Sequence, residues 1–132
     1  MDTNYWDTFY KQNNNILKNS SSFCKFVMDH FKTYENLYIL DAGCGNGRDS
    51  YYLSNKYKVL GIDTSIGAIK NNDNCKFIKD DFCTYNKNNF DLIYSRFTFH
   101  SISNEDHDVF LNSITKSGTF LCIETRSDKS IN

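Results

Sequence analysis

Apolar positions recur at helical spacing early in the chain, first at Tyr5, Trp6, Phe9 and Tyr10, then at Phe23, Phe26, Val27 and Phe31. That period predicts two amphipathic lead-in helices. The Ser20-Ser21-Ser22 run ahead of the second group offers a serine that caps a helix by accepting backbone N–H bonds. Asn13-Asn14-Asn15 between them is too short for a domain linker, and the chain shows no internal repeat. From Leu37 onward short apolar runs alternate with polar segments of helical length, as expected for strands and helices around a parallel sheet. The strands predicted are Leu37–Leu40, Lys58–Ile62, Lys76–Ile78, Phe90–Tyr94 and Thr119–Ile123. Helices fall near Arg48–Ser54, Ile66–Asn71 and Glu105–Thr115.

The length of 132 residues, 39% of them hydrophobic, suits one core and not two. A single domain is expected over 1–132, with lead-in helices in 1–35 and the α/β core in 36–132. A net charge of −1 leaves no basic footprint for a phosphate backbone, so no nucleic acid partner is expected. No run approaches the ~20 apolar residues that span a bilayer, and Met1 to Trp6 lacks a basic region followed by an apolar one. The expectation is a soluble, cytoplasmic protein without a membrane partner. Cys24, Cys44, Cys75, Cys83 and Cys122 are odd in number and lack metal-ligand spacing. They read as reduced, mostly buried thiols, and no metal is expected.

Candidate chemistry begins where the first strand ends. Asp41-Ala42-Gly43-Cys44-Gly45-Asn46-Gly47 follows Leu40 and opens the helix at Arg48, which puts a glycine loop at a strand's carboxyl end. In open α/β sheets that edge forms the ligand crevice, and glycines let the backbone turn tightly and approach a nucleoside. The helix start adds N–H donors suited to a carboxylate or phosphate. Sixteen residues after Gly47, Asp63 closes the second strand, where a carboxylate accepts hydrogen bonds from ribose hydroxyls. Asp80-Asp81-Phe82 follow the third strand and offer a carboxylate to an adenine amine and a ring to its face. The alternative for this acidic pair is a solvated turn.

Ile39 to Ser50 resembles the first motif of the Rossmann-like (class I) S-adenosylmethionine-dependent methyltransferases, especially the branch that includes tellurite-resistance-type enzymes. Val59–Ser65 is similar to the family's ribose-binding segment, Phe77–Phe82 to its adenine-binding segment and Phe90–His100 to its fourth-strand motif. Tyr5–Tyr10 and Ser22-Phe23 also resemble the lead-in helices of some members. The resemblance implies a three-layer sandwich around a mainly parallel sheet of about five strands, with S-adenosyl-L-methionine as cofactor. It implies that Gly43, Cys44 and Gly45 back the methionine moiety, that Asp63 with Thr64 holds the ribose, and that Asp81 meets the adenine amine while the Phe82 backbone reads a ring nitrogen. Asp41 and the Tyr94 carbonyl would face the amino group. Arg48 is either a partner of the methionine carboxylate or a surface helix arginine.

Family members usually continue past the fifth strand into a helix and an antiparallel strand pair. Only Glu124–Asn132 follows it here, so an exposed fifth-strand edge is expected, with pairing to a second copy or another partner there. Methyl transfer is an in-line displacement on a sulfonium, driven by placing acceptor and methyl carbon at attack distance in a water-poor pocket. For a hydroxyl acceptor His100, after the fourth strand, is the candidate general base, or else an anchor of its loop. Arg96 is the candidate for binding an anionic acceptor, or else pairs with a helix acid. Tyr5, Trp6 and Tyr10 form either an aromatic lid over the sulfonium or core packing of the lead-in helix. His30 and His107 read as helix surface residues. The expected function is methyl transfer to a small-molecule acceptor. The alternatives are a non-catalytic cofactor-binding or scaffolding subunit and a dinucleotide oxidoreductase. The last is disfavoured because its final glycine usually comes one residue later than Gly47.

Overall fold

The computed structural model describes residues 20–65, 71–96 and 102–125. Its elements in chain order are α1 (Ser22–His30), β1 (Tyr38–Ala42), α2 (Arg48–Leu53), β2 (Lys58–Asp63), β3 (Cys75–Lys79), β4 (Leu92–Arg96), α3 (Asn104–Asn112) and β5 (Phe120–Glu124). The strands form one sheet in the order β3-β2-β1-β4-β5, and every neighbouring pair is parallel. The lead-in helix expected around Tyr5–Tyr10 and the helix over Ile66–Asn71 lie outside the described residues, except for Asn71 itself.

Alternation along the strands divides the core into two layers. Ile39, Val59, Phe77, Leu92 and Tyr94 face α1 and α2 and pack with Cys24, Val27, Phe31 and Leu53. Leu40, Leu60, Ile62 and Ile93 face the other way, against Phe110 of α3. Each fully buried aliphatic side chain contributes roughly 1.5–3 kcal/mol relative to exposure. Gly61 is required by close approach, since a Cβ there would lie 2.5 Å from the Phe77 ring.

Local signals set the helix starts. Ser21 caps α1 by accepting the Cys24 N–H at 3.1 Å, and Ser103 caps α3 by accepting the Asp106 N–H at 3.1 Å. α3 stops at Asn112, short of the expected Thr115, where the Ser113 hydroxyl turns back to the Phe110 carbonyl at 2.6 Å. Cys24 and Val27 of α1 and Phe31 at its C-cap are buried, whereas Phe26 is 65% exposed and lines a groove between α1 and β5. β1 and β4 each end two residues beyond expectation. Parallel register carries β1 to Ala42 beside Ile62 and β4 to Arg96 beside Glu124. No helix among the described residues is long and apolar enough to cross a membrane.

Candidate functional site

Strand order reverses between β1 and β4, and a doubly wound sheet opens its crevice at such a switch point. Pairing of β4 with β1 stops at Tyr94 opposite Asp41, while pairing with β5 continues to Arg96 opposite Glu124. The strands therefore part just beyond Tyr94 on the β1 side, and the glycine loop leaves β1 at that point.

The loop is held by its own backbone. Gly43 and Cys44 donate N–H bonds to the Ile62 carbonyl at 2.7 and 3.0 Å, and Gly47 donates to the Cys44 carbonyl at 3.0 Å. Gly43, Gly45 and Gly47 have φ of 82°, 57° and 81°, in the left-handed region that favours glycine. A Cβ at Gly45 would meet nothing within 4 Å, so the loop presents open space at its tip. Cys44 differs from its neighbours: its side chain is buried in the core, its N–H is bonded to Ile62 of β2, its carbonyl accepts the Gly47 N–H, and burial first of all pushes its thiol up. These bonds shape the loop, and the Cys44 carbonyl keeps a second lone pair.

Asp63, at the end of β2, accepts the Gly45 N–H at 3.0 Å on one carboxylate oxygen and the Ser65 N–H at 3.0 Å on the other. Each oxygen keeps a further lone pair. Thr64 beside it is exposed. Asp41 is 2% exposed and accepts the Ser50 hydroxyl at 2.6 Å. Burial pushes its carboxyl up to about 7, the Ser50 bond working against the rise and the Asp49 and Asp63 charges adding to it. Asp80 and Asp81 are both exposed beyond β3, and one Asp81 oxygen caps the following turn by accepting the Cys83 N–H at 2.8 Å. Phe82 is half-buried, edge-on to Phe110 at 6.4 Å.

The remaining candidates separate. Arg48 is half-buried at the start of α2, its backbone N–H bonded to Asn46 at 3.1 Å. Tyr94 is fully buried within β4 rather than at its end, and only its pairing with β1 stops there. Arg96 is engaged by Glu124 at 2.9 Å. Of its two readings the ion pair is the one seen, with a strand acid in place of a helix acid, because parallel register sets Glu124 directly across from it. His100, Tyr5, Trp6 and Tyr10 lie outside the described residues. His30 is exposed on α1, and His107 is half-buried on α3. Cys24, Cys44, Cys75 and Cys83 are buried, Cys122 is half-buried, and all five are free thiols. Burial pushes Cys75 up to about 12 and Cys83 and Cys122 up to about 11, as for unreactive thiols.

One cluster had no role assigned from sequence. Asp49, 6% exposed in the first turn of α2, accepts the Ser21 N–H at 2.8 Å, the Ser21 hydroxyl at 2.7 Å and the Tyr94 hydroxyl at 2.7 Å. The signal was its spacing from Leu53, which places both on one helix face.

The residues at the crevice fit a nucleoside carrying a cationic amino acid. The loop tip is open at Gly45, Asp63 retains acceptor capacity, and Asp41 is a buried acid raised by desolvation beside that loop. A family profile described as a methyltransferase domain matches residues 39–117. An uncharacterized methyltransferase of Schizosaccharomyces pombe is 36% identical over 115 residues, covering 75% of this chain and 78% of its own. Among solved structures, a proposed S-adenosyl-L-methionine-dependent methyltransferase of Methanococcus maripaludis aligns with a TM-score of 0.69 at 21% identity over 92% of this chain. TehB from Haemophilus influenzae aligns at 0.60 and 27% over 82%. The 1,6-didemethyltoxoflavin-N1-methyltransferase of Burkholderia thailandensis, solved with S-adenosylhomocysteine bound, aligns at 0.58 and 15% over 84%. The chain spans 61%, 40% and 53% of those three chains respectively. With its sheet order, its glycine loop and these relatives in agreement, the chain belongs to the methyltransferase domain family and has the Rossmann-like α/β fold of the class I S-adenosylmethionine-dependent methyltransferases.

Proposed function

We propose that the chain binds S-adenosyl-L-methionine across the carboxyl edge of β1, β2 and β3 and directs its methyl group to a small-molecule acceptor. The observation that carries this reading is the bond from Gly45 N–H to Asp63, which locks the glycine loop to the ribose-binding acid. Bound there, the cofactor supplies an electrophilic methyl group on a sulfonium. Asp63 accepts the ribose hydroxyls on its remaining lone pairs, with Thr64 beside it. Asp81 accepts the adenine amine on the oxygen that does not cap the turn, and the Phe82 backbone meets a ring nitrogen. Asp41 and the Tyr94 carbonyl receive the ammonium, Gly43 and Gly45 leave room for the amino acid chain, and Arg48 lies within the same loop-to-helix turn for its carboxylate.

Holding the acceptor in line with the methyl carbon and excluding water supplies most of the acceleration such a site offers. His100 is assigned as the general base for a hydroxyl acceptor from its place in the sequence after β4. A small-molecule acceptor is supported by structural neighbours named for such substrates, the didemethyltoxoflavin enzyme and coclaurine N-methyltransferase.

Calorimetry with S-adenosylmethionine and S-adenosylhomocysteine tests the reading. Micromolar binding is expected, with no response to NAD, and Asp63→Ala weakens it by about tenfold or more, the scale of hydrogen bonds to a charged group. No binding by the folded chain at millimolar ligand would overturn the proposal.

Among the described residues β5 pairs only with β4, and its other edge is assigned to pairing with a second copy of the chain. Phe120 and Leu121 are 37% and 40% exposed on opposite faces of that strand, an apolar edge of the kind that pairs with another chain.

A further inference from the structure

We infer that Asp49 is a positioning residue, whose hydrogen bonds to Ser21 and Tyr94 fix the amino acid end of the cofactor crevice. The inference rests on the reading of that crevice as the S-adenosylmethionine site. Asp49 and Ser50 are adjacent in the first turn of α2 and brace it in two directions. Ser50 bonds Asp41 on β1 at 2.6 Å, and Asp49 accepts the Tyr94 hydroxyl on β4 at 2.7 Å. Asp41 and Tyr94 face each other in register where β1 and β4 part, so the two bonds tie one helical turn to both walls of the crevice. Ser21 adds a third tie through its N–H and its hydroxyl at 2.8 and 2.7 Å, while the same hydroxyl caps α1. Three elements distant in sequence therefore meet on a single carboxylate.

Packing alone does not call for an acid here. Asp49 shares the buried face of α2 with Leu53, where an apolar side chain would fill the space without the cost of desolvating a carboxylate. Its three donors are neutral groups, each with a fixed direction, so the acid specifies geometry where an apolar contact would allow sliding. The burial and the bond to Asp49 keep the Tyr94 phenol protonated as the donor. What Asp49 fixes is the position of the α2 start, which carries Ser50 and its bond to Asp41, relative to Tyr94 on β4, and only a ligand with an amino acid tail senses it.

The test compares S-adenosylhomocysteine with 5′-methylthioadenosine, which keeps the nucleoside and thioether and lacks the amino acid. In Asp49→Ala the dissociation constant for S-adenosylhomocysteine is expected to rise about tenfold or more, the scale of lost charge-assisted bonds, while that for 5′-methylthioadenosine stays unchanged. Asp49→Asn, which keeps one acceptor oxygen, is expected to recover part of the loss. Tyr94→Phe and Ser21→Ala are expected to show the same selectivity to a smaller degree, and they carry the test if Asp49→Ala fails to fold by circular dichroism. Equal weakening of both ligands, or no change in a folded variant, overturns the positioning role. Asp63→Ala separates the two readings. If it weakens both ligands while the Asp49 variants weaken neither, the cofactor site stands and the brace falls. If the unaltered protein binds neither ligand, the cofactor reading fails and takes the brace with it.

Discussion

At Asp41 burial and function pull against each other. Desolvation raises its carboxyl from an ordinary 3.8 to about 7, and the Ser50 bond offsets only part of that rise. Between those two values the folded chain holds a proton that the unfolded chain has lost. The contribution of Asp41 to stability therefore falls as pH rises through that window. An ammonium placed beside it favours the carboxylate, so cofactor binding at pH 5–6 must expel the proton. Affinity for S-adenosylhomocysteine is expected to climb with pH by up to about tenfold per unit below 7 and to level off above it, as for one linked proton. Calorimetry in two buffers of different ionisation enthalpy checks the release directly. A profile as flat in the unaltered protein as in Asp41→Asn would remove the ammonium from Asp41. Asp41 and Asp63 were legible as candidates beside the glycine loop because acids at strand ends next to a glycine loop have few other uses. Asp49 was not, because its partners lie 28 and 45 residues away and no local pattern brings them together.

The strands were legible as elements because doubly buried parallel strands are written as short continuous apolar runs, and Val59–Ile62 and Leu92–Tyr94 are such runs. Their ends were less so, since register decides them: Asp41 and Arg96 are polar residues drawn into strands by their neighbours. The segment between β3 and β4 shows the same limit more sharply. Asn86-Lys87-Asn88 is polar throughout, yet Lys87 is fully buried. Its ammonium donates to the carbonyls of Cys83 and Tyr85 at 3.2 and 3.1 Å and to the Ser113 hydroxyl at 2.7 Å, and lies 4.4 Å from the Phe110 ring centre. This lysine staples the β3–β4 connection to the end of α3. Lys87→Met is expected to cost about 1–3 kcal/mol in urea unfolding, because it leaves the acceptors unpaired. Burial lowers the lysine from 10.5 to about 8. Over that window the unfolded chain binds more protons, so the lysine's contribution to stability rises with pH. The gap between the unaltered protein and Lys87→Met should widen from pH 8 to 10. A gap that stays constant would mean the three acceptors hold the ammonium charged.

At the scale of the molecule the sheet is closed unevenly. Core layers cover both faces of β1, whereas none of the five residues of β5 is fully buried. The direction of its backbone groups follows from one bond. Phe120 donates its N–H to the Asp91 carbonyl at 2.9 Å, so Phe120, Cys122 and Glu124 point their N–H groups toward β4, and Leu121 and Ile123 point theirs outward. Those outward groups are what a second copy would pair with. Proline at position 121 removes an outward N–H and none that the internal ladder uses, and proline is tolerated on edge strands for that reason. Sedimentation equilibrium is therefore expected to show dimers of the unaltered chain and monomers of Leu121→Pro. The melting temperature of the variant, measured at a concentration where both are monomeric, should stay close to that of the unaltered chain. A monomer at every concentration would leave the β5 edge without a second copy. A dimer that survives Leu121→Pro would move the contact elsewhere, with the groove between α1 and β5, where Phe26 is 65% exposed, as the surface to mutate next.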